Sequence, residues 1–218
     1  METLSLTEFF ASTADHEPVP GGGSVSAMAA AAAAALSEMV AGLTIGRKGH
    51  EEDESSMRDI VDRAAALREK LTRAVSQDAE AYERVLAAYR MPRAKGDEIG
   101  ARSEAIEEAL KNAALVPMEV AVDGLAVLEM TETLVRRGNP NAVTDGAVAA
   151  MMARSAVLGA LYNVRINLKD IKDRVFAADL ARRTADLRNR AMEVEGTVLA
   201  AVDLFPGLTC VSITNDPA

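Results

Sequence analysis

Cysteine and tryptophan are nearly absent from this sequence. Cys210 is the single cysteine, there is no tryptophan, and aromatic residues make up only 3% of the 218 residues. One cysteine cannot form an intramolecular disulfide, which agrees with a reducing compartment. A core without aromatic residues must be built from alanine, leucine, valine and methionine, and this favours close helix–helix packing over a sheet.

Motifs for metal binding and for several common enzyme classes are also missing. The two histidines, His16 and His50, have no ligand-like companions, and the sequence contains no His-x-x-x-His or Cys-x-x-Cys pattern. No spacing supports a Ser-His-Asp triad, and the glycines at 21–23 lack the strand–helix context of a dinucleotide-binding or phosphate-binding loop. We therefore expect no metal site and no permanently bound cofactor.

Basic residues are fewer than acidic residues in this sequence. The chain has 24 Lys and Arg against 33 Asp and Glu, which gives a net charge of −9. A nucleic-acid-binding protein would normally present a basic face, so we expect no nucleic-acid partner, although an anionic small molecule can bind where cations are concentrated. The first residues contain no basic segment followed by an apolar one, so no secretory signal is evident and we expect a cytoplasmic protein.

Hydrophobic periodicity organises the chain as one helical domain over residues 1–218. A hydrophobic content of 49% suits a single sizeable core. Pro117 lies inside one periodic segment and is expected to kink that helix or divide it in two. The fold class is therefore all-α, a bundle of about six or seven helices. Helices are predicted over 5–13, 24–45, 55–90, 97–136, 142–171 and 175–204, with the helix at 142–171, apolar nearly all round, at the centre.

The stretch 18–48 joins a rigid loop to an alanine-rich helix. The loop reads Pro18, Val19, Pro20, Gly21, Gly22, Gly23, Ser24. Glycine permits close backbone approach and Ser24 can cap a helix, whose free N–H groups would favour an anion or a polar heterocycle. An ordinary loop and cap would explain the same residues. A membrane span fits by length, but alanine inserts weakly and Glu38 interrupts the segment, so we expect no membrane partner.

Arg47 and Lys48 follow this helix. At about 1.5 Å per residue the helix is about 30 Å long, so the glycine loop and the two cations should lie at opposite ends of one rod.

Asp78, Tyr82 and Tyr89 share one face of the third predicted helix, at spacings of four and seven residues. A carboxylate beside two phenols can form a site. A core stripe with Asp78 at its polar edge is the structural alternative.

Two carboxamides, Asn163 and Asn167, lie on one face of the apolar helix at 142–171. Buried amides need hydrogen-bond partners, which could be a polar heterocycle or the backbone of another helix. Arg165 lies about 160° around the helix from both and could reach a different pocket. Asn139 and Asp145 cluster at the start of this helix, where they are either ordinary caps or a base with a low pKa.

The ordered set of motifs resembles the cyclodeaminase/cyclohydrolase family, which includes stand-alone methenyltetrahydrofolate cyclohydrolases and the cyclodeaminase part of formiminotransferase-cyclodeaminase. The resemblance covers about residues 5–200. It rests on PVPGGGSVSAMAAAAAAAL at 18–36, LTIGRK at 43–48, DAEAYERVLAAYRMP at 78–92, VP at 116–117 and GNPNAVTDGAVAAMMARSAVLGALYNVRINL at 138–168.

The resemblance implies an all-helical subunit that forms a homodimer and takes a tetrahydrofolate derivative as its substrate. Asp145 or Asp78 would then act as the catalytic carboxylate, and Tyr82 or Tyr89 would relay protons or stack on the pterin. The substrate-binding set would be Pro20, Gly21, Gly22, Gly23, Ser24, Arg47, Lys48, Tyr89, Arg90, Asn139, Asn163 and Asn167. In this set the two asparagines of the apolar helix meet the pterin edges, and the cations meet the glutamate tail.

The segment 42–50 departs from the family pattern. Where the family often reads NLTIGKKKY, this chain reads GLTIGRKGH, so Gly42, Gly49 and His50 replace an amide, a lysine and a tyrosine.

The leading hypothesis is hydrolysis of 5,10-methenyltetrahydrofolate to 10-formyltetrahydrofolate, favoured because no formiminotransferase domain is fused to this sequence. Cyclodeaminase chemistry that releases ammonia, and a non-catalytic folate-binding or scaffold protein, remain alternatives.

Overall fold

The computed structural model describes residues 4–93 and 96–205, and within them the chain forms six α-helices and two short 3₁₀ turns. The turns are Glu51–Asp53 and Pro140–Ala142. The helices are α1 Leu6–Thr13, α2 Gly22–Gly42, α3 Glu54–Arg90, α4 Gly96–Arg137, α5 Val143–Leu168 and α6 Arg174–Asp203. The predicted all-α class is confirmed, whereas the predicted tail, with Cys210, lies outside the described residues.

The centre of the bundle is formed by α2 and α5, which run antiparallel. The start of α2 lies against the end of α5, since an added Cβ at Gly22 would lie 3.3 Å from Asn163 Nδ2. The residues after α2 lie against the start of α5, where the Asn139 N–H donates to Thr44 Oγ1 at 2.9 Å. The helix α5 packs on α2, α4 and α6, as its apolar sequence predicted.

Small residues set the spacing of these central helices. Ala27, Ala30, Ala153 and Ala156 are all buried in the main core. At Gly124 of α4 an added Cβ would lie 3.1 Å from a Val157 methyl group, so α4 approaches α5 as closely as a glycine allows. The alanine-rich composition therefore takes the place of aromatic bulk by bringing helix backbones together.

The helix α4 runs as one element through Pro117, so of the two predicted outcomes, a kink or a division, the division is wrong. Proline lacks an N–H and cannot bond the carbonyl four residues earlier, which here belongs to Ala113. The Nδ2 group of Asn167 donates to that carbonyl at 2.9 Å. A side chain of α5 thus supplies the hydrogen bond that the backbone of α4 cannot make, and the helix continues.

Two helical segments are long and apolar enough, by length and composition only, to cross a membrane. They are Gly22–Gly42, which is α2, and Pro140–Leu168, which is α5 with the 3₁₀ turn before it. Half of each apolar stretch is buried inside the described fold.

Candidate functional site

A cleft of about 380 Å³ lies between the start of α2, the second half of α3 and the end of α5. Its floor and walls come from the predicted glycine loop, the Asp78 stripe and the two carboxamides. The lining residues that carry polar groups or shape the opening are Gly21, Gly22, Gly23, Asp78, Tyr82, Tyr89, Asn163, Asn167, Lys169 and Asp170. Three segments singled out separately in the sequence therefore meet at one site.

The glycine loop brings backbone against the reactive side chains. The helix α2 begins at Gly22 after a cis Val19–Pro20 peptide bond, two residues before the predicted start. An added Cβ at Gly23 would overlap the carboxyl group of Asp78, so only glycine fits there without moving the carboxylate. Pro20 itself is buried behind the loop and does not line the cleft.

Ser24 was expected to be the N-cap of α2. It lies inside the helix instead, because the helix begins earlier, at Gly22. Its side chain is fully buried, and the Oγ donates a hydrogen bond to Asp78 Oδ2 at 3.0 Å. This contact joins residues 54 positions apart and locks the first turn of α2 to the middle of α3.

Asp78 is the titratable group at the base of the cleft. Its burial raises the pKa of the carboxyl group above its usual range, since the charged form loses solvation. The hydroxyl and the backbone N–H of Ser24 oppose this effect, since both donate to the carboxylate and lower the pKa. Burial and these hydrogen bonds thus act in opposite directions on the Asp78 pKa, and a perturbed pKa in a cleft marks a candidate general base or acid.

The two tyrosines stand at the rim. Tyr82 and Tyr89 are 38% and 45% exposed, so their rings line the cleft while their hydroxyl groups can reach solvent. Arg102 of α4 donates to the Tyr89 carbonyl at 2.9 Å and lies 5.8 Å from the centre of its ring. Arg90, the next residue, is exposed at the end of α3 and does not line the cleft.

The two carboxamides use their N–H groups on backbone carbonyls. Asn163 Nδ2 donates to the Gly159 carbonyl at 2.9 Å, and Asn167 Nδ2 donates to the carbonyls of Ala113 and Asn163, each at 2.9 Å. The structural alternative, a bond to the backbone of another helix, is thus correct for Asn167, whereas Asn163 donates within its own helix. Neither Oδ1 has a hydrogen-bond partner in the described part of the chain, so both oxygens are available to accept from a ligand.

Four predicted site residues lie at the other end of the bundle. Asn139 binds the Leu43 carbonyl through Nδ2 at 3.2 Å, beside the turn that carries Arg47 and Lys48. Asp145 lies in the first turn of α5, about 27 Å along the helix from Asn163 at about 1.5 Å per residue. These four residues therefore lie far from the cleft of their own chain. For Arg47 and Lys48 this agrees with the prediction that they and the glycine loop lie at opposite ends of one helix.

Lys169 and Asp170 also line the cleft and were not among the predicted site residues. Both follow α5 directly, two and three residues after Asn167. The continuation of the Asn163–Asn167 face past the end of the helix was the signal that could have identified Asp170.

A larger open groove of about 1200 Å³ lies between α3, α4 and the start of α6. Some of its charged groups already have partners: Lys111 Nζ lies 2.7 Å from Asp173 Oδ2, and Glu107 accepts from two backbone N–H groups. The smaller cleft, with free acceptors and a buried carboxyl group, is the better candidate for chemistry.

Known proteins share this fold and much of this sequence. A methenyltetrahydrofolate cyclohydrolase from Methylorubrum extorquens is 34% identical over 197 residues, which cover 90% of each chain. A formimidoyltransferase-cyclodeaminase from Rattus norvegicus is also 34% identical, over 91% of this chain, which spans only 37% of the rat protein. The crystal structure of formiminotetrahydrofolate cyclodeaminase from Thermotoga maritima matches with a TM-score of 0.84 and 33% identity, over 93% of this chain and 97% of that one.

The family model for formiminotransferase-cyclodeaminase matches residues 5–186, a range that includes every segment lining the cleft. The family resemblance stated from the motifs is thereby confirmed. The chain belongs to the formiminotransferase-cyclodeaminase family, whose relatives named above are folate one-carbon enzymes.

Proposed function

We propose that the protein hydrolyses 5,10-methenyltetrahydrofolate to 10-formyltetrahydrofolate in this cleft. The observation that carries the proposal is the meeting of a buried carboxyl group, Asp78, with free amide oxygens and a glycine-walled opening. The relative that matches along 90% of both chains bears this activity in its name.

The reaction needs one proton acceptor and no metal. Water adds to the carbon shared by two nitrogens in the cationic substrate, and the carboxylate of Asp78 accepts the proton that the water loses. The added hydroxyl group then gives up its proton to form the C=O bond as the bond from this carbon to N5 breaks, N5 takes up a proton, and the formyl group remains on N10. The same carboxylate, negative and poorly solvated, stabilises the positive charge of the bound substrate.

Asp78 is assigned as the catalytic carboxylate in preference to Asp145 because only Asp78 faces the cleft of its own chain. Tyr82 and Tyr89 offer ring surfaces at the rim for the pterin and hydroxyl groups for proton relay. Asn163 Oδ1 and Asn167 Oδ1 accept hydrogen bonds from pterin N–H groups. Their free oxygens suit the donor edge of such a ring.

The size of the cleft suits the fused ring system of the substrate and leaves its glutamate tail outside. A volume of about 380 Å³ is near the lower end of small-molecule sites, which run from roughly 300 to 1,000 Å³. Lys169 is the cation on the cleft wall that can meet a tail carboxylate.

A homodimer completes the arrangement in this proposal. Exposed apolar side chains lie on the end of α2 and on the first half of α5: Met39, Leu43, Val148 and Met151. A second copy that covers these residues would also bring Arg47, Lys48, Asn139 and Asp145 toward a partner's cleft, which explains why a folate-family motif lies so far from the cleft of its own chain.

Complementation tests the shared site. The variants Asp78→Asn and Asp145→Asn are each expected to be inactive alone. They are unfolded, mixed and then refolded together. If each site combines one chain's cleft with the partner's far end, about a quarter of the sites regain both aspartates in a random mixture of homodimers and heterodimers. No recovery in the mixture, or full activity of Asp145→Asn alone, would assign every catalytic group to one chain.

The assay for the main proposal follows the loss of the methenyl absorbance and, beside it, ammonia release from 5-formiminotetrahydrofolate. We expect methenyl loss well above the spontaneous rate, abolished by Asp78→Asn and retained by Asp62→Asn, an exposed change on the same helix. Wild-type rates no faster than the spontaneous reaction would refute the proposal.

Cyclodeaminase activity is the second candidate, favoured by the matched Thermotoga maritima structure of that activity. It uses the same carboxylate on a 5-formimino group and expels ammonia. Ammonia release with simultaneous formation of the methenyl chromophore would establish it. Folate binding without either reaction would leave a binding protein.

A further inference from the structure

We propose that a second pocket, on the opposite side of α5 from the cleft, binds a small phosphate-bearing molecule with an aromatic body, of the nucleotide class. The pocket lies between α5 and α6 and encloses about 550 Å³, within the roughly 300–1,000 Å³ of small-molecule sites. This proposal is independent of the chemistry assigned to the cleft.

Positive charge is concentrated there against the trend of the whole chain. The lining includes Arg154, Arg165 and Arg188 and no carboxylate, in a protein of net charge −9. Arg154 Nε lies 3.1 Å from Glu195 Oε2, so one guanidinium already has an acidic neighbour. Arg165 and Arg188 have no ion pair within the described residues, so the pocket carries two uncompensated positive charges.

The same wall of the pocket contains Thr184, whose buried hydroxyl group has no hydrogen-bond partner among the described residues. Thr184 is only 5% exposed. A buried hydroxyl without a partner costs free energy, and native proteins rarely leave one unsatisfied. The Nε of Arg154 is buried and lacks a well-aligned hydrogen bond as well. Both atoms are closed to solvent behind the pocket wall, so an oxyanion in the pocket would reach these two donors only after a small shift of the side chains.

The arrangement of donors favours phosphate over carboxylate. The guanidinium groups come from two helices, Arg154 and Arg165 from α5 and Arg188 from α6, with the Thr184 hydroxyl also on α6. A phosphate offers three acceptor oxygens in a tetrahedron and can accept from several directions at once, whereas a carboxylate offers two oxygens in one plane.

The remaining walls are apolar and aromatic. Leu158, Leu161 and Met192 line the pocket, and the Arg165 guanidinium lies 5.7 Å from the centre of the Tyr162 ring. A stacked guanidinium and phenol form a flat surface on which a heterocyclic base can lie. This combination of an apolar wall, a flat stack and unpaired guanidinium groups fits a nucleotide better than a bare inorganic anion.

The pocket and the cleft are separate sites on one helix. Arg165 lies two residues from both Asn163 and Asn167, which places it on the opposite side of α5. A ligand can therefore occupy one site without contacting the lining of the other.

Calorimetric titration of the full chain with ADP, pyrophosphate and citrate tests the proposal. We expect ADP to bind most tightly, pyrophosphate more weakly and citrate least. Arg165→Gln with Arg188→Gln should weaken ADP binding at least about tenfold, or about 1.4 kcal/mol. The control is Arg182→Gln, an exposed change on α6 that removes one positive charge outside the pocket.

Two further variants separate this site from its alternatives. Thr184→Val should weaken ADP binding while keeping the fold, since valine has nearly the same shape as threonine. Asp78→Asn should leave ADP binding unchanged because it changes only the cleft. Citrate binding tighter than ADP, equal losses in Arg182→Gln and the double variant, or loss of ADP binding in Asp78→Asn would each overturn the proposal.

Discussion

Asn167 supplies to α4 the hydrogen bond that Pro117 cannot supply, since its Nδ2 donates at 2.9 Å to the Ala113 carbonyl four residues before the proline. The same side chain also lines the cleft. A residue that a family motif would mark as substrate-binding is therefore also a structural brace between two helices.

The first prediction follows from this brace. Asn167→Ala should lower the free energy of unfolding by about 1–3 kcal/mol, because the buried carbonyl of Ala113 loses its donor. In a Pro117→Ala background the restored N–H of residue 117 serves that carbonyl, so the same substitution should cost about 1 kcal/mol less. Urea unfolding of the four proteins in this cycle measures the difference, with the exposed Asn189→Ala as control. Strictly additive costs would show that the two residues do not share the carbonyl.

The second prediction concerns the Ser24–Asp78 hydrogen bond. Ser24→Ala removes a donor that lowers the pKa of Asp78, so this pKa should rise further. If the carboxylate form is the active one, the acid limb of kcat/KM against pH moves to higher pH. Ser37→Ala is the matched control, since this buried serine of the same helix donates only to the Ala33 carbonyl. An acid limb that stays in place would argue against Asp78 as the titrating base.

The third prediction concerns the close approach at Gly23. Gly23→Ala should displace the Asp78 carboxyl group and lower the free energy of unfolding by about 1–3 kcal/mol, as overpacking does. Activity should fall more than stability alone would explain, because the displaced group is the catalytic one. Gly196→Ala in α6 meets no atom within 4 Å and should instead stabilise the protein by about 0.5–1 kcal/mol. Equal thermal stability of the two variants in a melting experiment would be the contrary result.

The fourth prediction concerns stability against pH. The folded chain holds the Asp78 proton to a higher pH than the unfolded chain does, since burial raises this pKa. The contribution of Asp78 to the free energy of unfolding therefore falls as pH rises from about 3.9, the ordinary aspartate value, through the raised folded pKa, and is constant above it. Asp78→Asn should remove this decline, whereas Asp62→Asn, exposed on the same helix, should keep it. Parallel pH dependences in the two variants, measured by urea unfolding, would contradict the raised pKa.

Local rules predicted the helices well because apolar period and glycine or proline stops are properties of neighbouring residues. The stripe of Asp78, Tyr82 and Tyr89 was predicted to face one side, and all three residues line the cleft. The same rules could not decide between a kink and a division at Pro117, because the donor that serves the Ala113 carbonyl comes from a different helix. They also placed Ser24 as a cap, since the true start at Gly22 depends on packing against Asn163 and Asp78.

The grouping of distant residues was harder to predict than the elements. Asn139 and Asp145 belong to the same motif as Asn163 and Asn167, yet the length of α5 separates the two pairs. The pocket lined by Arg165 and Arg188 depends on how α6 packs on α5, and a short sequence motif does not predict that packing.

Because Asp78 is buried, we expect substrate binding to be coupled to the release of a proton to the solvent. In the open cleft, burial shifts the carboxyl group toward its protonated form, whereas a bound cation next to it shifts the group toward the carboxylate. At pH values near the raised pKa, binding should release a proton, and the apparent heat of binding should depend on the ionisation enthalpy of the buffer. The affinity for the cationic folate should then weaken as the solution becomes more acidic, so the glycine-walled cleft acts as a proton-coupled receptor before any bond is broken.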